Sequence, residues 1–248
     1  MAAQLTTLTR TAQPFRGFIA ASAARELSPA GTTLGARPVE SDPLATVGTL
    51  RCVERDMAVF SEGDDADSVY RVVDGMIRLH KLLPDGRRQV VGFLQAGDML
   101  GLSVGGLYIY TAEAVTTSSL RRIPRERLDS LMDEQPALAR KLLTTMTTEL
   151  VAAQDQMLLL GRKTAAEKLA SFLIALGKRA AARTPGCRRV ELPMSRTDIA
   201  DYLGLTTETV SRGFTKLKTA RLIRLLEGNR VELVDQDALA DMAGCCCG

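Results

Sequence analysis

Residues Leu192 to Ile223 read LPMSRTDIADYLGLTTETVSRGFTKLKTARLI, a pattern of two short helices on either side of one glycine. Ser195 stands where a helix takes a hydroxyl cap, and Asp198, three positions on, suits the positive end of that helix. Ile199, Ala200 and Leu203 recur at helical spacing. Gly204 then ends the helix, because glycine enters the left-handed region at little steric cost. A second helix opens at Thr206 or Thr207, with Val210, Phe214 and Leu217 as its inward stripe. Two helices joined this way are a helix-turn-helix, whose second member enters a DNA major groove with its first residues against the base edges.

The outward face of the second helix carries Thr207, Glu208, Ser211 and Arg212. Glu208, Ser211 and Arg212 fall at i, i+3 and i+4, opposite the apolar stripe. Arg212 can place two hydrogen bonds on the edge of guanine, and Glu208 can accept from the amino group of cytosine. Lys216, Lys218 and Arg221 follow where phosphates run, with Thr206 and Arg196 as further phosphate contacts. A plainer reading is a three-helix domain whose exposed face carries a charged pair at salt-bridge spacing. Turn, inner stripe and polar face agree on the DNA-reading assignment.

The segment SRTDIADYLGLTTETVSR resembles the recognition motif of the cyclic-AMP receptor protein/FNR superfamily, in particular its FNR and FixK branch. In that branch an E-x-x-S-R triplet, matched here by Glu208, Ser211 and Arg212, reads a TTGA-type half-site. The resemblance extends back to about Leu44, through F-S-E-G-D, Y-R-V-V-D-G-M-I-R-L and L-Q-A-G-D-M-L-G, which is similar to the superfamily's cyclic-nucleotide-binding-type domain.

The 248 residues suit two domains. Apolar residues make up 46% and charged residues 25%, the balance of a soluble globular chain, and no apolar run approaches the ~20 residues that span a bilayer. Net charge is only +3, but it is unevenly spread. Gly161 to Val231 holds 15 Lys/Arg against 6 Asp/Glu, whereas Glu40 to Leu160 holds 13 against 18. A basic C-terminal module on an acidic N-terminal one points to a polyanion partner for the former only. Three of the five cysteines are adjacent near the end of the chain, which is no disulfide framework and favours a reducing cytoplasm.

Residues 1–42 read as a loosely ordered arm without sustained periodicity. Arg10, Arg16 and Arg25 precede its first acid, a bias shared with transit peptides, although the rest of the chain resembles a bacterial regulator. From Val47 to Arg127 short strands alternate with turn signals such as Gly63-Asp64-Asp65, Asp74-Gly75, Pro84-Asp85-Gly86 and Gly97-Asp98, which predicts an antiparallel jelly roll. Glu134 to Gly161 is expected to be one helix. Its seam of Ala139, Leu143, Met146, Leu150, Ala153, Met157 and Leu160 alternates steps of four and three, the spacing of a coiled coil and hence of a two-fold dimer. Some of Leu142, Leu158 and Leu159 are expected to pack on the chain's own jelly roll. Gly161 is expected to interrupt the helix as a hinge. Thr164 to Arg183 is amphipathic, Arg188 to Leu192 a strand, and Leu222 to Val234 a hairpin around Gly228-Asn229, which makes the module winged. Asp235 to Ala243 closes it as a helix.

The signal to which such a chain responds is read largely by elimination. Cyclic-AMP binders of the superfamily place a glutamate beside the Gly-Asp turn and an Arg-Ser pair further on. Here Met99-Leu100-Gly101 follows Gly97-Asp98, and Leu107 to Ala112 holds no arginine to meet a phosphate. An FNR-type iron–sulfur cluster needs four ligands, and before Cys187 the chain offers only Cys52. His80, the sole histidine, reads as a surface or edge residue rather than a haem ligand. Cys187, in a Gly-Cys-Arg-Arg turn, has two arginines beside it that could raise its reactivity, so it is a candidate redox site as well as a plain turn thiol. The Cys245 to Cys247 triplet could bridge chains or bind soft metals, but reads more simply as an unstructured tail.

The expected fold is therefore α+β. It comprises an arm (1–42), a jelly-roll sensor domain (43–133), a coiled-coil dimerisation helix (134–161), a winged helix-turn-helix (162–243) and a Cys-rich tail (244–248). The expected seam contacts are Leu143, Met146, Leu150, Ala153, Met157 and Leu160. No cofactor or bound metal is expected, and no catalysis, since a cupin-like metal enzyme on a jelly roll needs a cluster of histidines. The resemblance implies a FixK-like activator. It would bind palindromic double-stranded DNA as a homodimer, engage RNA polymerase without a membrane, and act on microoxic or anaerobic respiration, nitrogen-fixation or denitrification genes. The alternative is a regulator gated by a small molecule or gas held in the jelly roll.

Overall fold

The computed structural model describes Leu44, residues 47–103 and residues 105–244. The expected arm and the cysteine triplet lie outside these residues. Eight strands come first: β1 (Thr49–Val53), β2 (Ala58–Phe60), β3 (Ser68–Asp74), β4 (Met76–Leu82), β5 (Arg88–Gln95), β6 (Met99–Leu100), β7 (Thr111–Ala114) and β8 (Ser118–Pro124). They form two antiparallel four-stranded sheets, ordered β1-β8-β3-β6 and β2-β7-β4-β5. Alternation drives the layering: Val53, Phe60, Val72, Ile77, Ala112 and Leu120 all turn inward to one core. Each fully buried aliphatic in such a core is worth about 1.5–3 kcal/mol.

The last strand ends at Pro124, and Arg125–Glu134 forms a helix, α1, that the sequence reading did not anticipate. A long helix, α2 (Pro136–Arg162), then starts at a proline in its first turn, after the extended Gln135. Proline suits that place, since a first-turn N–H has no helical partner and the residue before proline avoids the helical region. The helix expected from Glu134 thus starts two residues later, after a break at Gln135 that separates it from α1. Leu128, Leu131, Leu138 and Leu142 pack with Val69, Met99 and Ile123 on the outer side of the first sheet.

One further expectation about α2 is corrected. Gly161 does not interrupt it; the helix continues to Arg162 and stops because Thr164 caps the next helix, α3 (Ala165–Arg183), through a capping box with Glu167. Some of Leu142, Leu158 and Leu159 are expected to face the jelly roll, and Leu142 does so. Leu158 is exposed, and Leu159 packs against the core of the C-terminal lobe.

That lobe contains β9 (Arg189–Glu191), α4 (Arg196–Leu203), α5 (Thr207–Thr219), β10 (Ile223–Leu226), β11 (Arg230–Leu233) and α6 (Gln236–Met242). Its three-stranded sheet runs β10-β11-β9. Glu227, Gly228 and Asn229 join β10 to β11, and Gly228 and Asn229 both take positive φ at this tip, a conformation that glycine and asparagine adopt at little cost. Leu169, Leu173, Ile199, Leu203, Val210, Phe214 and Leu233 fill a core that continues into Met76, Val90 and Phe93 of the second sheet. Jelly roll and C-terminal lobe therefore share buried apolar surface.

Candidate nucleic-acid interface

The helix-turn-helix follows from caps and glycine. Ser195 caps α4 by accepting from the Asp198 N–H at 3.0 Å, while Asp198 accepts from the Ser195 N–H at 3.0 Å. Such a cap is worth about 1 kcal/mol. Gly204 ends α4 at φ 61°, in the left-handed region. Thr206 then caps α5, accepting from the Thr209 N–H at 3.2 Å. Val210, Phe214 and Leu217 are buried, so the opposite face of α5 points outward.

On that outer face Thr207, Glu208, Ser211 and Arg212 are all exposed. Arg212 Nη2 donates to Glu208 Oε1 at 2.6 Å, with the two side chains 75% and 72% exposed. A solvated i,i+4 pair is worth only about 0.3–0.5 kcal/mol, so either group can exchange it for a stronger partner. The Ser211 hydroxyl donates to the Thr207 carbonyl at 2.8 Å, which leaves its oxygen free to accept. The structure thus brings the expected base-reading residues together on one accessible turn and a half of helix.

Among the expected phosphate contacts, Thr206, Lys216, Lys218 and Arg221 are exposed around the same helix. Arg221 takes a left-handed φ of 59° just after α5, which turns the chain into β10. Arg196 is placed differently. Its guanidinium lies 3.3 Å above the Phe214 ring, and burial lowers its pKa from the ordinary value. It stacks α4 onto α5 as a cation–π contact, and is half-buried rather than projecting freely.

The seam residues Leu143, Met146, Leu150, Ala153 and Met157 lie exposed along α2, and Leu160 is half-buried. Between them Thr144, Thr145, Thr147 and Thr148 donate their hydroxyls to carbonyls one turn back. These polar side chains satisfy themselves within the helix and leave the apolar stripe uninterrupted.

Cys187 is half-buried, and its thiol donates to the Arg189 carbonyl at 3.3 Å. It lines a groove of about 450 Å³ with Asp74, Gln95, Arg183 and Glu191, between the jelly roll and the C-terminal lobe. His80 corrects the sequence reading. β4 is an interior strand, and His80 is buried at 6% exposure with Nδ1 lacking a hydrogen bond and Glu113 Oε2 3.8 Å away. Burial lowers its pKa below 6.5, opposed by the nearby Glu113 carboxylate. The alternation of β4 hid this, since both faces of the strand are covered along Met76 to His80.

Sequence reasoning also missed the polar cluster that meets α4. Arg78 bonds Glu113, Asp56 and Asp198, while Arg88 bonds Asp198 and Asp201. Asp198 keeps a pKa below its ordinary value: burial pushes the other way, but the Ser195 hydrogen bonds and the two arginines hold it ionised. No local sequence signal marks such partners. The described residues hold no group of three or more His, Cys, Asp or Glu arranged to bind a metal, and no helix long and apolar enough to cross a membrane.

Comparison with known proteins agrees with this geometry. Residues 167–242 match the Crp-like helix-turn-helix domain family, and residues 50–135 match the cyclic nucleotide-binding domain family. The nitrogen fixation regulation protein FixK of Bradyrhizobium diazoefficiens is 45% identical over 177 residues, covering 71% of this chain and 74% of that one. The transcriptional activatory protein AadR of Rhodopseudomonas palustris is 46% identical over 175 residues, covering 70% and 73%. The solved structure of FixK2 from Bradyrhizobium japonicum superposes with a TM-score of 0.73 at 39% identity, covering 79% of this chain and 97% of that one. With its antiparallel jelly roll and winged helix-turn-helix, the chain belongs to the FixK-like branch of the cyclic-AMP receptor protein/FNR superfamily of DNA-binding transcription regulators.

Proposed function

We propose that this chain acts as a homodimeric transcription activator that reads a TTGA-type palindrome. Residues 43–133 serve as the jelly-roll module, 134–161 as the dimer helix and 162–243 as the DNA reader. The observation that carries this is the outer face of α5, where Thr207, Glu208, Ser211 and Arg212 stand exposed over a buried Val210-Phe214-Leu217 stripe. Arg212 and Glu208 supply the donor fork and the acceptor that a G·C pair presents partners for in the major groove. Thr206, Lys216, Lys218 and Arg221 hold phosphates beside it, while Arg196 stacks α4 on α5. Such phosphate contacts set affinity and salt dependence rather than sequence choice.

Exposure of Leu143, Met146, Leu150 and Met157 between 46% and 65% supports the dimer, because a stripe of this kind is stabilised when a second α2 covers it. A dimer sets two recognition helices about 34 Å apart, one turn of duplex. The activator engages RNA polymerase in the cytoplasm and works on genes of low-oxygen respiration, nitrogen fixation or denitrification; among its relatives, FixK is named for nitrogen fixation regulation and AadR for transcriptional activation.

Effector-free operation is supported by the interior of the jelly roll. Phe60 and Tyr108 stack at 3.7 Å between ring centroids, Tyr70 and Tyr110 flank Phe60, and Tyr108 donates to the Ser68 carbonyl at 2.7 Å. These aromatic side chains pack into the core of the jelly roll. Oxidation of Cys187 is a further means of control that we propose for this groove-lining thiol. Peroxide should weaken DNA binding in the native chain and leave Cys187→Ser unchanged, and an equal response in both removes that role.

The direct test is binding of the purified, reduced chain to a TTGAT/ATCAA palindrome against a scrambled duplex, with no ligand added. Tight, selective binding as a dimer is expected. Weak or unselective binding would favour the gated reading, in which an added ligand must raise thermal stability.

A further inference from the structure

The first helix of the helix-turn-helix is held at both ends by elements that do not belong to it. At its N-terminal end Arg78 of β4 donates from Nη1 to both oxygens of Asp198, at 3.2 and 3.4 Å. Arg88 of β5 donates to Asp198 Oδ1 at 2.6 Å and to Asp201 Oδ2 at 2.9 Å. Gln89 adds a bond to the Asp201 carbonyl at 2.7 Å. At the C-terminal end Gln156 of α2 donates to the Tyr202 carbonyl at 2.9 Å, and a Cβ on Gly204 would lie 3.4 Å from Leu160. The jelly roll grips α4 from its first turn to Asp201, and the long helix grips its C-terminal end at Tyr202. Phe93 of β5, Phe172 of α3 and Tyr202 of α4 cluster between these grips, with ring centroids 5.4 to 6.3 Å apart.

The grip reaches the recognition helix by short steps. Asp198 both receives the two arginines and closes the capping box that starts α4. α4 in turn is stacked on α5 by Arg196 over Phe214. The side chains of Arg78 and Asp198 are only 10% and 4% exposed, so water offers these charges no easy substitute. A buried link of this kind holds one orientation, where a solvated pair would allow many.

We infer that Arg78, Arg88 and Gln156 are positioning residues for DNA recognition, holding α4, and through it α5, at a set angle to the long helix α2. The inference rests on the dimeric palindrome-reading function proposed above. In a dimer joined along α2, that angle decides where the two recognition helices fall along the duplex. A loosened angle leaves each half-site contact intact and removes the gain from engaging both half-sites at once.

The test uses the full-length chain carrying Arg88→Gln and Gln156→Ala, both at partly exposed positions, with thermal melting to confirm folding. Affinity is measured for the palindrome, for a single half-site, and for a palindrome whose spacer is longer by about two base pairs. The native chain should favour the palindrome and reject the lengthened spacer. The variant should lose about tenfold on the palindrome, lose nothing on the half-site, and bind the two spacings within about twofold. Retained spacing discrimination, or an equal loss on the half-site, overturns the positioning role. A native chain that gains nothing from the second half-site overturns the dimeric reading, and the inference with it. Should the double variant unfold, Gln156→Ala alone removes one bond of the clamp and is read in the same way.

Discussion

Two arginine–carboxylate pairs involve neighbouring helices of the same motif, one within α5 and one between β4 and α4, and they behave as different chemistry. Arg212 and Glu208 sit one turn apart on α5 in full contact with water. Arg78 and Asp198 meet across the boundary between jelly roll and C-terminal lobe, almost wholly out of water. For the exposed pair, solvent competes with the partner, so the bond is cheap to break and both groups remain available to base edges. For the buried pair, the desolvation cost has already been met, and losing one partner strands the other. Under the proposed function, the same two functional groups serve recognition in one place and rigidity in the other, and burial separates the roles.

That contrast can be broken most severely at Asp198. Asp198→Ala removes the capping box and leaves Arg78 and Arg88 facing one another without their shared carboxylate. A loss of about 3–5 kcal/mol in urea unfolding is expected. A loss below about 1 kcal/mol would show that the buried pair is no more valuable than a solvated one. Arg212→Ala should do the opposite: unfolding stability stays within about 0.5 kcal/mol, while binding to the TTGA palindrome falls by about 1–3 kcal/mol and specificity relaxes at the guanine. Equal loss on a scrambled duplex would reassign Arg212 to a phosphate.

Smaller effects sharpen the picture. Lys216→Ala should weaken binding to all sequences alike and lower the salt slope by about one unit per half-site, read from affinities across a salt series. The smallest expected effect is at His80. Its folded-state pKa lies below the ordinary 6.5 because it is buried. The unfolded chain therefore binds the proton more readily, and the neutral histidine's contribution is complete above about pH 6.5 and lost as pH falls towards the folded value. Arg78, Arg88, Asp198 and Glu113 surround it. Asp198, with a pKa below 3.8, loses its own contribution only at more acid pH, so the two windows are distinct. Thermal melts between about pH 8 and 5 should show the native chain declining more steeply than His80→Gln. Parallel curves would remove His80 as the cause.

Much of the C-terminal lobe was legible because its signals are short-range. Ser195, Gly204, Thr206, Gly228 and Asn229 each act within a few residues of chain, through a cap or a positive φ. The α5 stripe needs only 3.6-residue periodicity. The errors fall where distant chain decides. His80 alternates like an edge residue, yet β7 and β5 flank its strand and the C-terminal lobe lies over it. Gly161 resembled a helix breaker, but glycine is tolerated inside a helix, and the capping pair Thr164–Glu167 set the true end. Leu159 kept helical spacing with Leu142 while facing a different lobe, because α2 is long enough to pass from one core to the other.

By itself, the sequence determined the helix-turn-helix, its wing, the exposed polar face of its second helix and the apolar stripe of the long helix, since caps, turns and periodicity are written in adjacent residues. Tertiary structure alone decided what holds that reader in place. Arg78 and Asp198 are 120 positions apart, and no local pattern distinguishes them from solvated charges until folding brings the β4–β5 hairpin onto α4 and excludes the water between them.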